Sequence, residues 1–374
     1  VNKKTAWLLA AAALVCMLAA CSGGAGKPDP RLNAEGKTFL LKGVSGVQKL
    51  SQITGQDSDS RTDRFAVYGT DLGSMFNDGD KTYFVFGDTF GQRSPYQIGA
   101  GGNLWRSNTI GFTTDTNPKD GMTLEGMITD EYGMAKELLP SKKSDFEEMT
   151  VIPTHGLSAN GAMYLYYMSI FHWGEAGMWD VNYAGVAKST DGGANWEQLE
   201  DLRWPRDSNF IQVSPYKVQM SDDRTEIYFW CIPSGRFGAI KLMKVEERDI
   251  ETFSAYQYYA GSDDQGQPIW SGDPDEARIV VDDEAGELSV IWDAGLERWL
   301  MTYSKEGRVV IREGLAPWGP WNEAIDVTKT GEYPGLYAPF MNDKFIEDDG
   351  KTIYFTLSLW EPYNVFWFKA NLQL

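Results

Sequence analysis

The sequence predicts an all-β protein, a single five-bladed β-propeller, and three observations lead there. A unit of aromatic strand, Gly/Asp turn and second strand recurs at Phe65–Thr114, Thr150–Trp196, Phe210–Val245, Leu288–Trp321 and Tyr337–Leu374. That spacing suits about five blades, within the roughly four to eight that propellers use. Ser189-Thr190-Asp191-Gly192-Gly193-Ala194-Asn195-Trp196 fits S-x-D-x-G-x-x-W, the Asp-box turn whose Asp caps backbone amides and whose Trp packs beneath a blade. Helix-length amphipathic segments are scarce, and only Glu131–Leu139 and Val245–Thr252 look briefly helical. A β-sandwich is the alternative architecture. The chain is long for one sandwich and no Pro/Gly-rich linker divides it, so residues 41–374 read as one domain.

Ahead of that domain the chain reads as an export signal. Lys3 and Lys4 form a basic region, Ala6–Met17 an apolar one, and Leu18-Ala19-Ala20-Cys21 resembles a bacterial lipobox. Residues 1–20 are therefore expected to be a lipoprotein signal peptide, with Cys21 the acylated residue after cleavage. The apolar run is short of the ~20 residues of a transmembrane helix. Residues 21–40, rich in Gly, Ser and Pro at their start, are expected to be a flexible tether. The expected location is the extracytoplasmic face of the cell membrane, held there by lipid. Of the three cysteines only Cys231 then remains, and no disulfide framework can form. Stability must come from burial.

Charge excludes some functions. A formal net charge of −19 argues against nucleic acid and other polyanions as partners. Two histidines are too few for a histidine-rich metal centre, and Asp57, Asp59 and Asp63 lack the Gly and Glu of an EF-hand loop. No Walker loop, strand-linked G-x-G-x-x-G or G-x-S-x-G occurs. Neither a metal nor a cofactor is expected. Fourteen tryptophans suit either sugar stacking or a β-sheet core.

Chemistry concentrates in Phe65–Phe90, FAVYGTDLGSMFNDGDKTYFVFGDTF, which reads as a hairpin turning at Asn77-Asp78-Gly79-Asp80. A two-residue Asp78-Gly79 turn pairs Asn77 with Asp80 and sets Asp71 opposite Phe86. Asp88 then lies diagonally from Asp71 on the same face. Such neighbours sit roughly 7–8 Å apart, overlapping the separation of about 6.5–9.5 Å between the carboxyls of inverting glycosidases. A three-residue loop would send the two side chains to opposite faces. Both are equally at home as turn-capping aspartates.

Other candidates surround this pair. Trp105 and Asn108, in Trp105-Arg106-Ser107-Asn108, offer an aromatic face and a paired donor and acceptor for sugar hydroxyls. His155 opens the next unit in a position to hydrogen-bond a sugar, with Glu148 nearby as a further carboxylate. Trp173, with Trp179, is a candidate platform; Tyr337 and Trp360, at strand ends of the last unit with Phe340 and Tyr363, are candidate cleft walls.

GTDLG (Gly69–Gly73), FGDTFG (Phe86–Gly91), WRSN (Trp105–Asn108), VIPTHG (Val151–Gly156), Tyr166–Trp196, GPW (Gly319–Trp321), YPGLYAPF (Tyr333–Phe340) and LSLW (Leu357–Trp360) occur in this order. Together they resemble the domain of unknown function 4185, over nearly all of the chain from Phe65. That group includes glycoside hydrolase family 183, endo-D-arabinanases acting on mycobacterial cell-wall arabinan. The resemblance implies a five-bladed propeller and an inverting pair of aspartates in the first blade, falling on Asp71 and Asp88. The histidine of VIPTHG stands where a small residue is expected. The leading expectation is thus an exported, lipid-anchored glycoside hydrolase cleaving a furanose polysaccharide, D-arabinan first, by endo attack. The alternatives are a non-catalytic propeller that binds glycan or glycoprotein at the cell surface, and a sialidase-like enzyme, for which no ordered arginine motif is present.

Overall fold

The computed structural model describes residues 29–374, so the expected signal peptide and Cys21 lie outside the described residues. Five antiparallel sheets follow one another along the chain. The first contains Leu72–Asp78, Lys81–Phe86, Thr109–Thr113 and Gly126–Met127; the second Thr150–Ala159, Ala162–Trp173, Trp179–Ser189 and Glu197–Pro205. The third opens with Gln212–Ser221, Arg224–Ile232 and Gly238–Glu246, then adds Gln257–Ser262, Pro268–Ser271 and Ile279–Ala285. The fourth contains Leu288–Asp293, Arg298–Lys305, Arg308–Gly314 and Ile325–Lys329. Leu336–Glu347, Thr352–Leu359 and Asn364–Gln373 form the fifth, whose outer edge is Gly43–Gln52. The opening strands of the sheets touch in a closed ring: Leu72–Asp78 meets Thr150–Ala159, then Gln212–Ser221, Leu288–Asp293, Leu336–Glu347, and back to Leu72–Asp78. This is a five-bladed β-propeller with those strands around its axis.

Seryl and threonyl hydroxyls knit the inner ring. Val290 N–H donates to Ser214 Oγ at 2.8 Å, Met341 N–H to Ser289 Oγ at 2.9 Å, and Leu72 N–H to Ser358 Oγ at 2.9 Å. Each links neighbouring blades where an inner strand has no further strand to pair with, so a buried amide is satisfied by a side chain. Between the blades lies the apolar core. Trp204, Trp230, Trp299 and Trp367 are among its fully buried side chains, and truncating one such residue to Ala costs ~3–5 kcal/mol. Much of the aromatic richness is therefore core.

Both expected helical stretches resolve differently. Glu131–Leu139 makes turns, with Ala135 N–H donating to Phe65 O and Lys136 N–H to Ile128 O. Val245–Thr252 finishes a strand at Glu246 and turns through the 3-10 segment Glu247–Asp249. Among the described residues all helix is short 3-10 turns; the backbone groups in these stretches bond within single turns, as Thr252 N–H does to Asp249 O at 2.8 Å, or to neighbouring segments. The Asp box forms the turn between the third and fourth strands of blade two. Asp191 Oδ1 accepts from Asn195 N–H at 2.9 Å, and Trp196 Nε1 donates to Gly193 O at 2.8 Å.

The N-terminal segment differs from its sequence reading. Residues 29–40, expected as tether, lie along blades three and four. Trp299 Nε1 donates to Arg31 O at 2.8 Å, Arg31 Nη2 to Gln219 O at 3.1 Å, and Leu40 N–H to Glu313 Oε2 at 2.8 Å. Gly43–Gln52 then pairs antiparallel with Asn364–Gln373, from Gly43 opposite Gln373 to Gln52 opposite Phe366. The first and last strands thus close the ring.

Candidate active site

Asp71 immediately precedes the inner strand of blade one, and Asp88 follows its second strand. The hairpin between them turns at Gly79-Asp80, pairing Asp78 with Lys81, one residue later than expected. A bulge between Leu72 and Ser74 takes back part of the shift. Asp71 therefore lies beside Gly87, whose N–H donates to its backbone oxygen at 3.2 Å, not opposite Phe86. Leu72 and Gly73 have φ of 68° and 90°, so the chain has left the regular pleat, and strict alternation no longer decides where the carboxyls point. Both carboxyls line one central cavity of about 780 Å³, to which all five blades contribute. Beneath them, hydroxyls form a fully buried ladder: Thr70 to Thr89 at 2.7 Å and Thr89 to Thr109 at 3.1 Å.

The two acids sit in different surroundings. Asp88, 7% exposed, accepts hydrogen bonds on Oδ1 from Trp105 Nε1 at 2.8 Å and Thr150 Oγ1 at 2.6 Å. Burial pushes its carboxyl up to about 6, against those donors and the Lys143 charge. Asp71 keeps a partly exposed face on the cavity. Its Oδ2 accepts from the Tyr337 hydroxyl at 2.9 Å, and the Tyr363 hydroxyl stands beside the same group. Enclosure by protein, reinforced by the Asp88 charge, pushes Asp71 up to about 7. Solvent access alone would give Asp88 the higher value. The donors around Asp88 and the like charge felt by Asp71 reverse that order.

The aromatic candidates divide. Tyr337, Trp173 and Trp360 line the cavity. Trp173 is 36% exposed and lies edge-on to Trp179, ring centroids 5.6 Å apart. Trp360, 46% exposed, lies edge-on to Tyr363 at 5.6 Å. Trp105 stands behind Asp88 and meets the cavity only through that carboxylate. Asn108 does not line it. Its buried amide donates to Leu139 O and Val151 O and accepts from Leu138 and Leu139 N–H, all at 2.8–2.9 Å, bracing blades one and two. His155 is also off the cavity wall, 6% exposed, with Nδ1 2.8 Å from Gly156 O and its ring edge-on to Phe340. Burial pushes it down to about 4, so it is neutral. The bulge at Thr154 leaves Ile152 and Thr154 as the cavity residues of this strand. Glu148 accepts from Ser169 Oγ at 2.7 Å and is not part of the wall.

Sequence reasoning missed Arg236 and Glu287. They line the cavity from blades three and four, joined as an ion pair at 2.6 Å. Only the glycines around Arg236, in Ser234-Gly235-Arg236-Phe237-Gly238, hint at a shaped turn. The described wall carries Asp71, Asp88, Glu175, Glu287 and Glu306 against the single cation Arg236. Such a cavity repels anions.

Residues 57–369 match the family described as domain of unknown function (DUF4185). Notoamide biosynthesis cluster protein J of Aspergillus sp. (strain MF297-2) is 24% identical over 353 residues, 86% of this chain and 89% of that protein. Notoamide biosynthesis cluster protein J' of Aspergillus versicolor is 24% identical over 335 residues, 83% and 85% of the two chains. Among solved structures, the "putative hydrolase" of Bacteroides ovatus ATCC 8483 superposes with a TM-score of 0.57 at 12% identity, over 90% of this chain and 97% of that one. The native arabinanase of Bacillus subtilis gives 0.44 at 12% identity, over 82% and 97%. A family match across most of the sequence, with the propeller it folds into, places this chain in the DUF4185 family.

Proposed function

We propose that the protein is a glycoside hydrolase using Asp71 and Asp88 as an acid/base pair, acting by inversion within a furanose polysaccharide. The observation that carries this reading is the pair itself: two enclosed carboxyls, raised to different degrees, on one cavity whose rim bears exposed tryptophans. Asp71, with the higher value, is the general acid. It protonates the glycosidic oxygen as the bond to the anomeric carbon breaks. Asp88, the more acidic, takes a proton from a water that attacks that carbon from the opposite face. Trp105 and Thr150 occupy Asp88 Oδ1 and leave Oδ2 for that water. The acidic wall favours a neutral glycan over a sialylated or sulfated one, and D-arabinan attacked internally fits the sequence resemblance. The chain is exported and lipid-anchored at Cys21 in this reading.

Incubation with arabinogalactan and lipoarabinomannan, beside L-arabinan and sialoglycans, tests it. Released D-arabinan oligosaccharides are expected, with inverted anomeric configuration by proton NMR of the first product. The rate should follow a bell with its maximum between about pH 6 and 7, because Asp88 must be ionised and Asp71 protonated. Asp71→Asn and Asp88→Asn should each lower kcat at least ~100-fold. Binding without product even at high protein concentration would replace this reading with a glycan-capturing propeller. For the anchor, full-length protein should fractionate with membranes and C21A should not; equal partitioning of both would remove the anchor from the proposal.

A further inference from the structure

Arg236 has no place in the acid/base step, yet one side chain rooted in blade three reaches three other blades. Its Nε and Nη2 grip Glu287 Oε1 of blade four at 2.9 and 2.6 Å, with Nε also 3.1 Å from Oε2. Its backbone N–H donates to Gly177 O of blade two at 2.9 Å. The guanidinium carbon lies 4.8 Å from the Tyr337 ring centroid of blade five and 5.7 Å from that of Trp179 in blade two. Gly286 leaves the corridor open, since a Cβ there would fall 2.9 Å from Arg236 Cγ. Tyr337 carries the contact onward to blade one, where its hydroxyl donates to Asp71 Oδ2 at 2.9 Å.

Glu287 is buried and Arg236 30% exposed, and an ion pair so enclosed often holds structure together no better than apolar side chains of the same volume. The charge and the planar fork therefore call for a reason other than stability. Burial works against the Arg236 charge, but Glu287, Tyr337 and Asp71 together raise it above its ordinary value, so the guanidinium stays cationic. A planar cation on an aromatic face is attracted to it and restrains the ring.

We propose that Arg236 is a positioning residue for Asp71: clamped by Glu287, its guanidinium face fixes the Tyr337 ring and with it the hydroxyl that holds the Asp71 carboxyl. The proposal rests on the acid/base reading of Asp71 and adds the part that tunes it. The titratable and charged groups around Asp71 are Asp88 of its own blade, Tyr337 and Tyr363 of blade five, Glu287 of blade four and Arg236 of blade three. Of these, Tyr337, Tyr363 and Arg236 favour the carboxylate, and Asp88 and Glu287 oppose it. Loosening Tyr337 must raise the Asp71 midpoint.

The test is a carbon-13 NMR titration of protein labelled at the aspartate carboxyls, with the Asp71 signal assigned from D71N. It needs no substrate. Expected is an upward shift of the Asp71 midpoint by about one pH unit in R236Q, a smaller one in R236K, and a shift of the same sign in Y337F. R236Q and Y337F combined should shift it by less than their sum, as coupled positions do. R236Q/E287Q removes both members of the ion pair and so separates positioning from bare charge; most of the R236Q shift should persist there. If R236Q does not fold, G286A, which keeps every charge but crowds the Arg236 stem, should give the same upward shift. An unmoved midpoint in a folded R236Q or G286A overturns the proposal, and so do strict additivity with Y337F or disappearance of the shift in R236Q/E287Q. A shifted midpoint in a protein that hydrolyses none of the glycans above leaves this relay standing and overturns the glycosidase reading instead.

Discussion

Two aspartates 17 positions apart in sequence (71 and 88) acquire different chemistry from the groups that face them. Asp88 takes donors from an indole and a hydroxyl, Asp71 from tyrosines, and the Asp88 charge raises Asp71 only so far as burial prevents water from screening it. This arrangement has a thermodynamic consequence. Asp71 is raised from its ordinary 3.8 to about 7, so the folded protein holds a proton that the unfolded chain has released between about pH 4 and 7. Stability from this group is complete below the unfolded value and falls as pH rises towards the folded one. An amide cannot ionise. D71N should therefore be more stable than wild type at pH 8 by an order of ~1–3 kcal/mol, discounted for the partly exposed face of Asp71. The difference should vanish near pH 4. Thermal melts of both proteins at the two pH values check it, and an equal gap at both would show that the carboxyl is not under the strain described. A gain in stability with loss of turnover is the usual mark of a functional group placed at a cost to the fold.

At the scale of elements, the hairpin shows what a sequence does and does not contain. Its strands are legible because aromatic and β-branched residues alternate around a Gly/Asp turn. Its register is not, because Asp78-Gly79 and Gly79-Asp80 are both acceptable two-residue turns, and the chain uses the second. Gly73 in mid-strand was an available sign of a bulge, and the bulge there restores part of the slip. Leu72 adopts a left-handed φ beside Asp71, which a bulky side chain tolerates only where its surroundings hold it. The Asn108 amide was visible as a versatile hydrogen-bonding group, but its partners, backbone atoms near Leu139 and Val151, are fixed only by how blades one and two meet. Arg236 and Glu287 lie 51 positions apart in different blades, and no local pattern links them. Trp173, Tyr337 and Trp360 were legible for a simpler reason. They end strands on the face where every inner strand contributes to the cavity.

On the scale of the whole molecule, ring closure is what makes the cavity. Five blades can converge on one axis only if the last blade is held against the first, and here the chain's own beginning completes the last blade's edge. Gly43–Gln52 escaped the sequence reading because an outer strand is half exposed and its residues, GVSGVQKLSQ, lack the aromatic signature of inner strands. The segment before it is stapled at Glu313, whose carboxylate accepts from the N–H groups of Leu40 and Leu41 at 2.8 and 2.7 Å and pairs with Arg298 at 2.7 Å. Glu313 and Arg298 are both buried. Removing the carboxylate strands a buried cation and two amides, a loss of ~3–5 kcal/mol. Removing the strand itself is worse, since it bares the backbone edge of Asn364–Gln373, the kind of edge that recruits another chain. E313A should thus lower Tm while elution on size-exclusion chromatography is unchanged. A chain starting at Ile53 should lose its cooperative melt and form oligomers on size-exclusion chromatography. If the shortened chain instead gains no larger species over the parent protein and its melt is unchanged, the ring closes without its N-terminal strand, and the inner-strand contacts between blades one and five suffice to hold Tyr337 and Tyr363 over Asp71.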